Sequence, residues 1–237
     1  MTVRTPGVTG PGATLRGVRD RSRTLGRLLR HDRALGATLV AGADEAGRGA
    51  IAGPLFAAAV LLEPDALTLA ERRALARLDD SKRCTSLARD ALLPAVLRAA
   101  LRVSLVVVAV AEVDSRNIHR ANLHALARAL EQLDAPADTS LVADGFRLPM
   151  AREHRNIIDG DEKSAAIAAA SIVAKVTRDR LMGRLAERHP QYGFERHVGC
   201  GTPEHKAALR AHGPCELHRR SFAPCSQLAL DLGLDDA

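Results

Sequence analysis

Three short runs that read as strands in this 237-residue chain each lead into a carboxylate. Residues 38–43 run into Asp44-Glu45, residues 140–143 into Asp144-Gly145, and residues 155–158 into Asp159-Gly160-Asp161. Short apolar runs closed by Asp and Gly read as strands with turns behind them. Residues 55–62 read as a further strand. The β-branched run 103–110 reads as a central one. Helical patterns fall over 66–78, 86–102 and 122–133, and over an Ala-rich stretch, 164–188, that His189-Pro190 stops. One more helix is expected near 203–211, within a loop-rich remainder. Strands first, then strands alternating with helices, predict an α/β domain: a mixed sheet flanked by helices.

The apolar fraction of 46% supports a folded core. Aromatic residues make up only 2%, so Ala, Val and Leu must fill that core. Stacked aromatic platforms for single-stranded nucleic acid are not expected. The net charge of +6 is unevenly placed. Residues 1–36 hold eight Arg and two acidic residues, whereas 37–237 are balanced at 26 of each sign. A basic N-terminal extension over 1–36 is therefore expected, disordered over 1–15 and with a short amphipathic helix within 16–35. Such an arm suits a polyanion, or simply solubility. The domain proper spans 37–225, with a tail over 226–237.

No apolar signal segment or membrane-length run is present, which points to a cytoplasmic chain with reduced thiols. Cys200, Cys215, His197, His205, His212 and His218 follow no paired Cys-x-x-Cys pattern, which speaks against a structural zinc.

The carboxylates carry the chemistry. Singly, Asp144-Gly145 is an ordinary turn, Asp161 a helix cap and Asp44-Glu45 a solvated strand end. Converging, they would repel one another unless cations sat among them, and all-oxygen ligands suit Mg²⁺ or Mn²⁺. Two such ions, roughly 3.5–4 Å apart, can activate a water and stabilise the leaving oxygen of a phosphodiester. Gly47-Arg48-Gly49 directly follows the first pair. Its glycines let the backbone approach a phosphate, and Arg48 offers a fork of donors.

At these residues the chain resembles prokaryotic ribonuclease HII. Ala43-Asp44-Glu45-Ala46-Gly47-Arg48-Gly49 with Ala52-Gly53-Pro54 is similar to that family's first motif, and Asp80-Ser81-Lys82 to its second. Asp144-Gly145 resembles the motif that carries the third acid, and Gly160-Asp161 through Asp179 the longest signature. His212-Gly213-Pro214 and His218-Arg219-Arg220-Ser221-Phe222 resemble the C-terminal one. The likeness implies a ribonuclease H-like fold with a C-terminal helical extension. It implies cleavage 5′ to a ribonucleotide, in RNA–DNA hybrids or in duplex DNA, leaving a 3′-hydroxyl and a 5′-phosphate. It makes Asp44, Glu45, Asp144 and Asp161 the metal-binding catalytic carboxylates. Gly47, Arg48 and Gly49 would surround the 2′-hydroxyl, the group that distinguishes RNA from DNA at one sugar.

Lys175 and Arg178 share a helix face and are expected to contact phosphates or solvent, as are Lys82 and Arg220. The chain is expected to act as a monomer. It departs from the family at Cys200, which stands where relatives carry a tyrosine beside the substrate's sugar; a thiol has no stacking face. The alternatives are a junction resolvase of the same fold and a silent nucleic-acid binder. The Gly-Arg-Gly loop speaks against the first, and the full set of carboxylates against the second.

Overall fold

The computed structural model of the chain describes residues 24–78 and 86–231. Cys84, the basic residues 1–23 and the whole Asp80-Ser81-Lys82 motif, including the expected contact Lys82, lie outside the described residues.

Five strands form one sheet: β1 (Val40–Ala46), β2 (Leu55–Leu62), β3 (Arg102–Val108), β4 (Ser140–Asp144) and β5 (Arg155–Ile157). Their spatial order is β3-β2-β1-β4-β5. β1 pairs antiparallel with β2 and parallel with β4; β2–β3 is antiparallel and β4–β5 parallel. This is the mixed α/β sheet expected. One placement differs. The β-branched run is an edge strand, not a central one. Val107 is half exposed on it, and only alternate residues are buried. The central strands are β1 and β2; every residue of β2 is buried.

The two-residue period of a strand divides the core into two layers. Val40 on β1 and Phe56, Ala58, Val60 and Leu62 on β2 face α6 (Ala165–Arg188) and α3 (Ser86–Ala99). Ala41 and Ala43 with Leu55, Ala57, Ala59 and Leu61 face α5 (Ile118–Gln132). Small residues set the closeness of α6. A Cβ on Gly42 would overlap the Ala166 backbone, so the Ala-rich first turns of α6 lie directly on β1.

Helix α1, residues 24–33, belongs to this layer. Leu25, Leu28 and Leu29 are buried with α6, and Asp32 accepts the Ala166 N–H at 3.0 Å. Within the extension expected over 1–36, α1 packs on the domain, because its leucine spacing gives it an apolar face. Burial raises the Asp32 pKa above its ordinary value, with hydrogen bonds to Ser164 and Ala166 opposing.

Elsewhere, α2 (Leu69–Ala74) is shorter than the 66–78 pattern and starts at a Thr68–Glu71 capping box. The sequence also concealed α4 (Val110–Arg116). Asn117 at φ 70° separates it from α5 and caps α5 by accepting from the His119 N–H. Beyond α6 come α7 (Phe194–His197), α8 (Pro203–His212) and α9 (Ala223–Asp231). The last runs across the expected start of the tail at 226. Around Tyr192 and Phe194, Met182 and Ala186 form a separate small core with Ala52.

Candidate active site

Asp44 and Glu45 sit inside β1, not just past its end. β2 continues to pair with them, Asp44 against Ala58 and Glu45 against Ala57, while pairing with β4 stops at Ala43–Ala143. Asp144 therefore follows in β4 one step beyond the last parallel pair, next to Asp44. Two parallel neighbours ending together place both carboxylates at the same edge of the sheet. Strand alternation sends Asp44 toward α6, where Ser171 hydrogen-bonds it, and Glu45 toward α5, where Asn122 lies.

These groups meet at a cavity of about 430 Å³ lined by Asp44, Glu45, Ala46, Gly47, Arg89, Asp144, Ser171, Ile172 and Lys175. Asp161 is buried beside it in a 3₁₀ turn, Gly160–Glu162, and does not line the cavity. That turn is tied to the site because Gly160 N–H donates to Asp144 Oδ1 at 2.6 Å.

The electrostatics suit a cation. Burial, then the charges of Glu45 and Asp144, push the Asp44 pKa well above the ordinary carboxylate value. Burial also raises Glu45, opposed by Asn122 and Arg48. The fully buried Asn122 favours ionised Glu45 without a well-aligned hydrogen bond. Crowded carboxylates that resist ionisation are stabilised by a divalent ion, and oxygen-only donors match Mg²⁺ or Mn²⁺. Asp44, Glu45 and Asp144, which line the cavity, are the residues that could hold one.

Gly47 takes φ 87°, a conformation glycine adopts without strain. Arg48 reaches back to Glu45 at 3.9 Å and stacks over Phe146 with 4.8 Å between guanidinium carbon and ring centroid. Gly49 has open space where a Cβ would stand.

Arg178 does not face solvent or the cavity. It is 1% exposed and donates to the carbonyls of Pro54, Ala52 and Val198. Its expected phosphate contact is replaced by a structural one, because α6 turns this side chain under the loop of residues 47–54. Lys175, one turn earlier, does line the cavity and pairs with Asp179 at 2.8 Å. Arg220 is exposed, and its backbone N–H is held by Asp114. Its neighbour Arg219 is fully buried and donates to the Gly53 and Arg48 carbonyls; burial, then the nearby Arg178 charge, pull its pKa down to about 10. Cys200 is exposed on the turn that follows α7, and the preceding Gly199 carbonyl accepts from the Ile51 and Ala52 N–H groups.

Arg89, Ser171, Asn122, Phe146 and Arg219 were not singled out from sequence. Only Arg219 and Ser171 lay within quoted motifs, the C-terminal one and the longest signature.

The same segments recur in known proteins. The family model of ribonuclease HII matches residues 41–225. The chain belongs to that family. Ribonuclease HII of Geobacillus thermodenitrificans is 48% identical over 200 residues, covering 83% of this chain and 74% of the relative. The Nocardia farcinica ribonuclease HII is 50% identical over 184 residues, covering 77% and 71%. Among solved structures, the ribonuclease H2 of Pyrococcus horikoshii superposes with a TM-score of 0.70 at 23% identity, over 82% of this chain and 99% of that one. Bst-RNase HIII in complex with Mn²⁺ gives 0.65 at 21%, over 87% and 73%. At such identities the structures establish the fold, a ribonuclease H-like sheet with a C-terminal helical part.

Proposed function

We propose that this chain is a ribonuclease H endonuclease that hydrolyses the phosphodiester 5′ to a ribonucleotide. Its substrates are RNA–DNA hybrids and duplex DNA with embedded ribonucleotides, and its products carry a 3′-hydroxyl and a 5′-phosphate. The observation that carries this reading is the meeting of Asp44, Glu45 and Asp144 at one cavity that Gly47, the first residue of Gly47-Arg48-Gly49, also lines. Membership of the ribonuclease HII family supports it. We read the chain as a cytoplasmic monomer; no described helix is long and apolar enough to cross a membrane.

Asp44, Glu45 and Asp144, with Asp161 beside them, would hold Mg²⁺ or Mn²⁺, which when bound would polarise phosphate oxygens and acidify water. The chain's own part is positioning. Asn122 and Arg48 oppose the upward shift of Glu45, and Ser171 opposes that of Asp44. The Gly47–Gly49 backbone, pinned from below by Arg178 and Arg219, meets the 2′-hydroxyl and the neighbouring phosphate. A rigid backbone reader discriminates by leaving its own polar groups unpaired on a deoxyribose. Lys175 neutralises phosphate charge along the groove. Arg220 and Lys82 are proposed as further phosphate contacts, and Cys200 as the neighbour of the sugar.

Purified protein with Mg²⁺ or Mn²⁺ is expected to nick a duplex containing one ribonucleotide and to leave the all-DNA duplex intact. Equal cutting of both would remove the proposal.

A further inference from the structure

A second set of metal-ligating atoms meets at the C-terminal end of α6, about 20 Å along that helix from Lys175 at 1.5 Å per residue. His189 caps α6, and Cys215 and Glu216 lie between α8 and α9. One ligand atom from each lies within 4.8 Å of the other two. His189 Nε2 stands 3.2 Å from Glu216 Oε1, yet it is buried and makes no well-aligned hydrogen bond. Cys215 is a free, half-buried thiol. Glu216 is two-thirds exposed, so the group opens to solvent on one side.

The neighbouring histidines are committed elsewhere. His197 contacts the Tyr192 carbonyl and accepts from the Gly199 N–H. His205 Nδ1 faces the Cys200 carbonyl at 2.9 Å, and its Nε2 faces His218 Nε2 at 3.1 Å. His218 Nδ1 accepts from the Cys215 N–H and also lies 3.2 Å from Cys215 Sγ, a contact that the thiolate would give up to the ion. One set of neutral tautomers satisfies the whole chain: Cys215 N–H to His218, His218 Nε2–H to His205, His205 Nδ1–H to the carbonyl. The six cysteines and histidines weighed from sequence are thus spread over separate tasks. His189 and Glu216, which take part here, were not among them.

We propose that His189, Cys215 and Glu216 bind one borderline-soft divalent cation, of which Zn²⁺ is the best fit, with water completing the shell. One imidazole, one thiolate and one carboxylate match the ligand preferences of zinc and differ from the oxygen-only site at Asp44. Thiolate and carboxylate together neutralise the ion, and the Cys215 thiol proton passes to solvent on binding. Ligands around tetrahedral zinc stand roughly 3.3–3.8 Å apart; His189 Nε2 and Glu216 Oε1 are already 3.2 Å apart, and no pair of the three atoms exceeds 4.8 Å. The ion would tie the end of α6 to the segment leading into Arg219, which holds the Arg48 and Gly53 carbonyls.

The test uses the full chain, stripped with chelator and titrated with Co²⁺. A thiolate-to-cobalt charge-transfer band is expected, and Zn²⁺ should displace it. Cys215→Ser should abolish the band, and His189→Ala and Glu216→Gln should each weaken affinity by about tenfold or more. Asp144→Asn should leave it unchanged. Absence of the band overturns the proposal, as does its persistence in Cys215→Ser, which would move the cobalt to another cysteine. Should Cys215→Ser fail to fold, Glu216→Gln decides, since that side chain is exposed: unaltered cobalt affinity there overturns the site.

Discussion

The Arg178 guanidinium occupies the space in which a Cβ on Gly47 would lie. Both the positive φ of Gly47 and this contact exclude a side chain there. Gly49, two residues on, has neither restriction. Gly47→Ala is therefore expected to lower stability by about 1–3 kcal/mol through strain at a special backbone position and to disable the loop. Gly49→Ala is expected to keep the wild-type denaturation midpoint and to raise KM for a ribonucleotide duplex. A wild-type KM for Gly49→Ala would show that substrate backbone does not approach there.

Arg178 and Lys175 should separate in a salt titration. Removing Arg178 strands three carbonyls, at about 1–3 kcal/mol for each buried acceptor left unpaired. Arg178→Ala should thus fall sharply in urea stability, and Arg178→Lys should recover only part, because an ammonium cannot span the three carbonyls as a planar fork does. Neither should alter the slope of log affinity against log salt. Lys175→Ala should be as stable as wild type and should reduce that slope by about 0.9, the share of one duplex phosphate. An unchanged slope for Lys175→Ala would take it out of the phosphate-binding groove.

These two residues show how far the sequence could be read. Spacing put Lys175 and Arg178 on one helical face, and that was sound. It could not say which part of the face lies under the 47–54 loop, because that depends on how α6 is rotated against β1, set by Gly42 and the alanines of its first turns. The acids were legible because strand ends marked them. Asn122 was not, since a polar residue within a helix carries no local sign of the carboxylate it will face; Ser171 lay inside the longest signature with nothing to mark its task. Phe146 was hidden by its turn context. The edge position of β3 was hidden too, because a β-branched run looks alike at the centre and at the rim of a sheet.

Metal removal should change how stability responds to pH. The Asp44 and Glu45 pKa values are raised above 3.8 and 4.5, so the folded protein without metal binds more protons than the unfolded chain just above those values. Its stability should fall as pH rises through the folded-state pKa values. Asp44→Asn should flatten that fall and raise the melting temperature at neutral pH while turnover is lost. Mg²⁺ at 100 times its Kd should restore about 2.7 kcal/mol, with a smaller effect in acid. Asp144→Asn should fold normally, lose this stabilisation and lose activity beyond the roughly 10–100-fold that disturbing a ligand's outer partners costs. Retained activity would dismiss Asp144 as a ligand.

The last prediction concerns the exposed turn at Cys200. Its backbone is fixed: the Cys200 N–H donates to the His197 carbonyl at 2.8 Å, and its carbonyl faces His205 Nδ1. A larger side chain therefore changes what points outward without moving the turn. Cys200→Tyr should leave the denaturation midpoint unaltered, because Cys200 is exposed and buries nothing. Stacking against the sugar and base next to the cut is worth roughly 1–3 kcal/mol where an aromatic supports a nucleotide. The variant should thus gain on duplexes with a single ribonucleotide, where one sugar carries the recognition. It should gain less on long hybrids, where many registers are productive. Measuring kcat/KM on both substrates checks this, and equal values for variant and wild type on the single-ribonucleotide duplex would show that the loop of Gly47–Gly49 selects the sugar unaided.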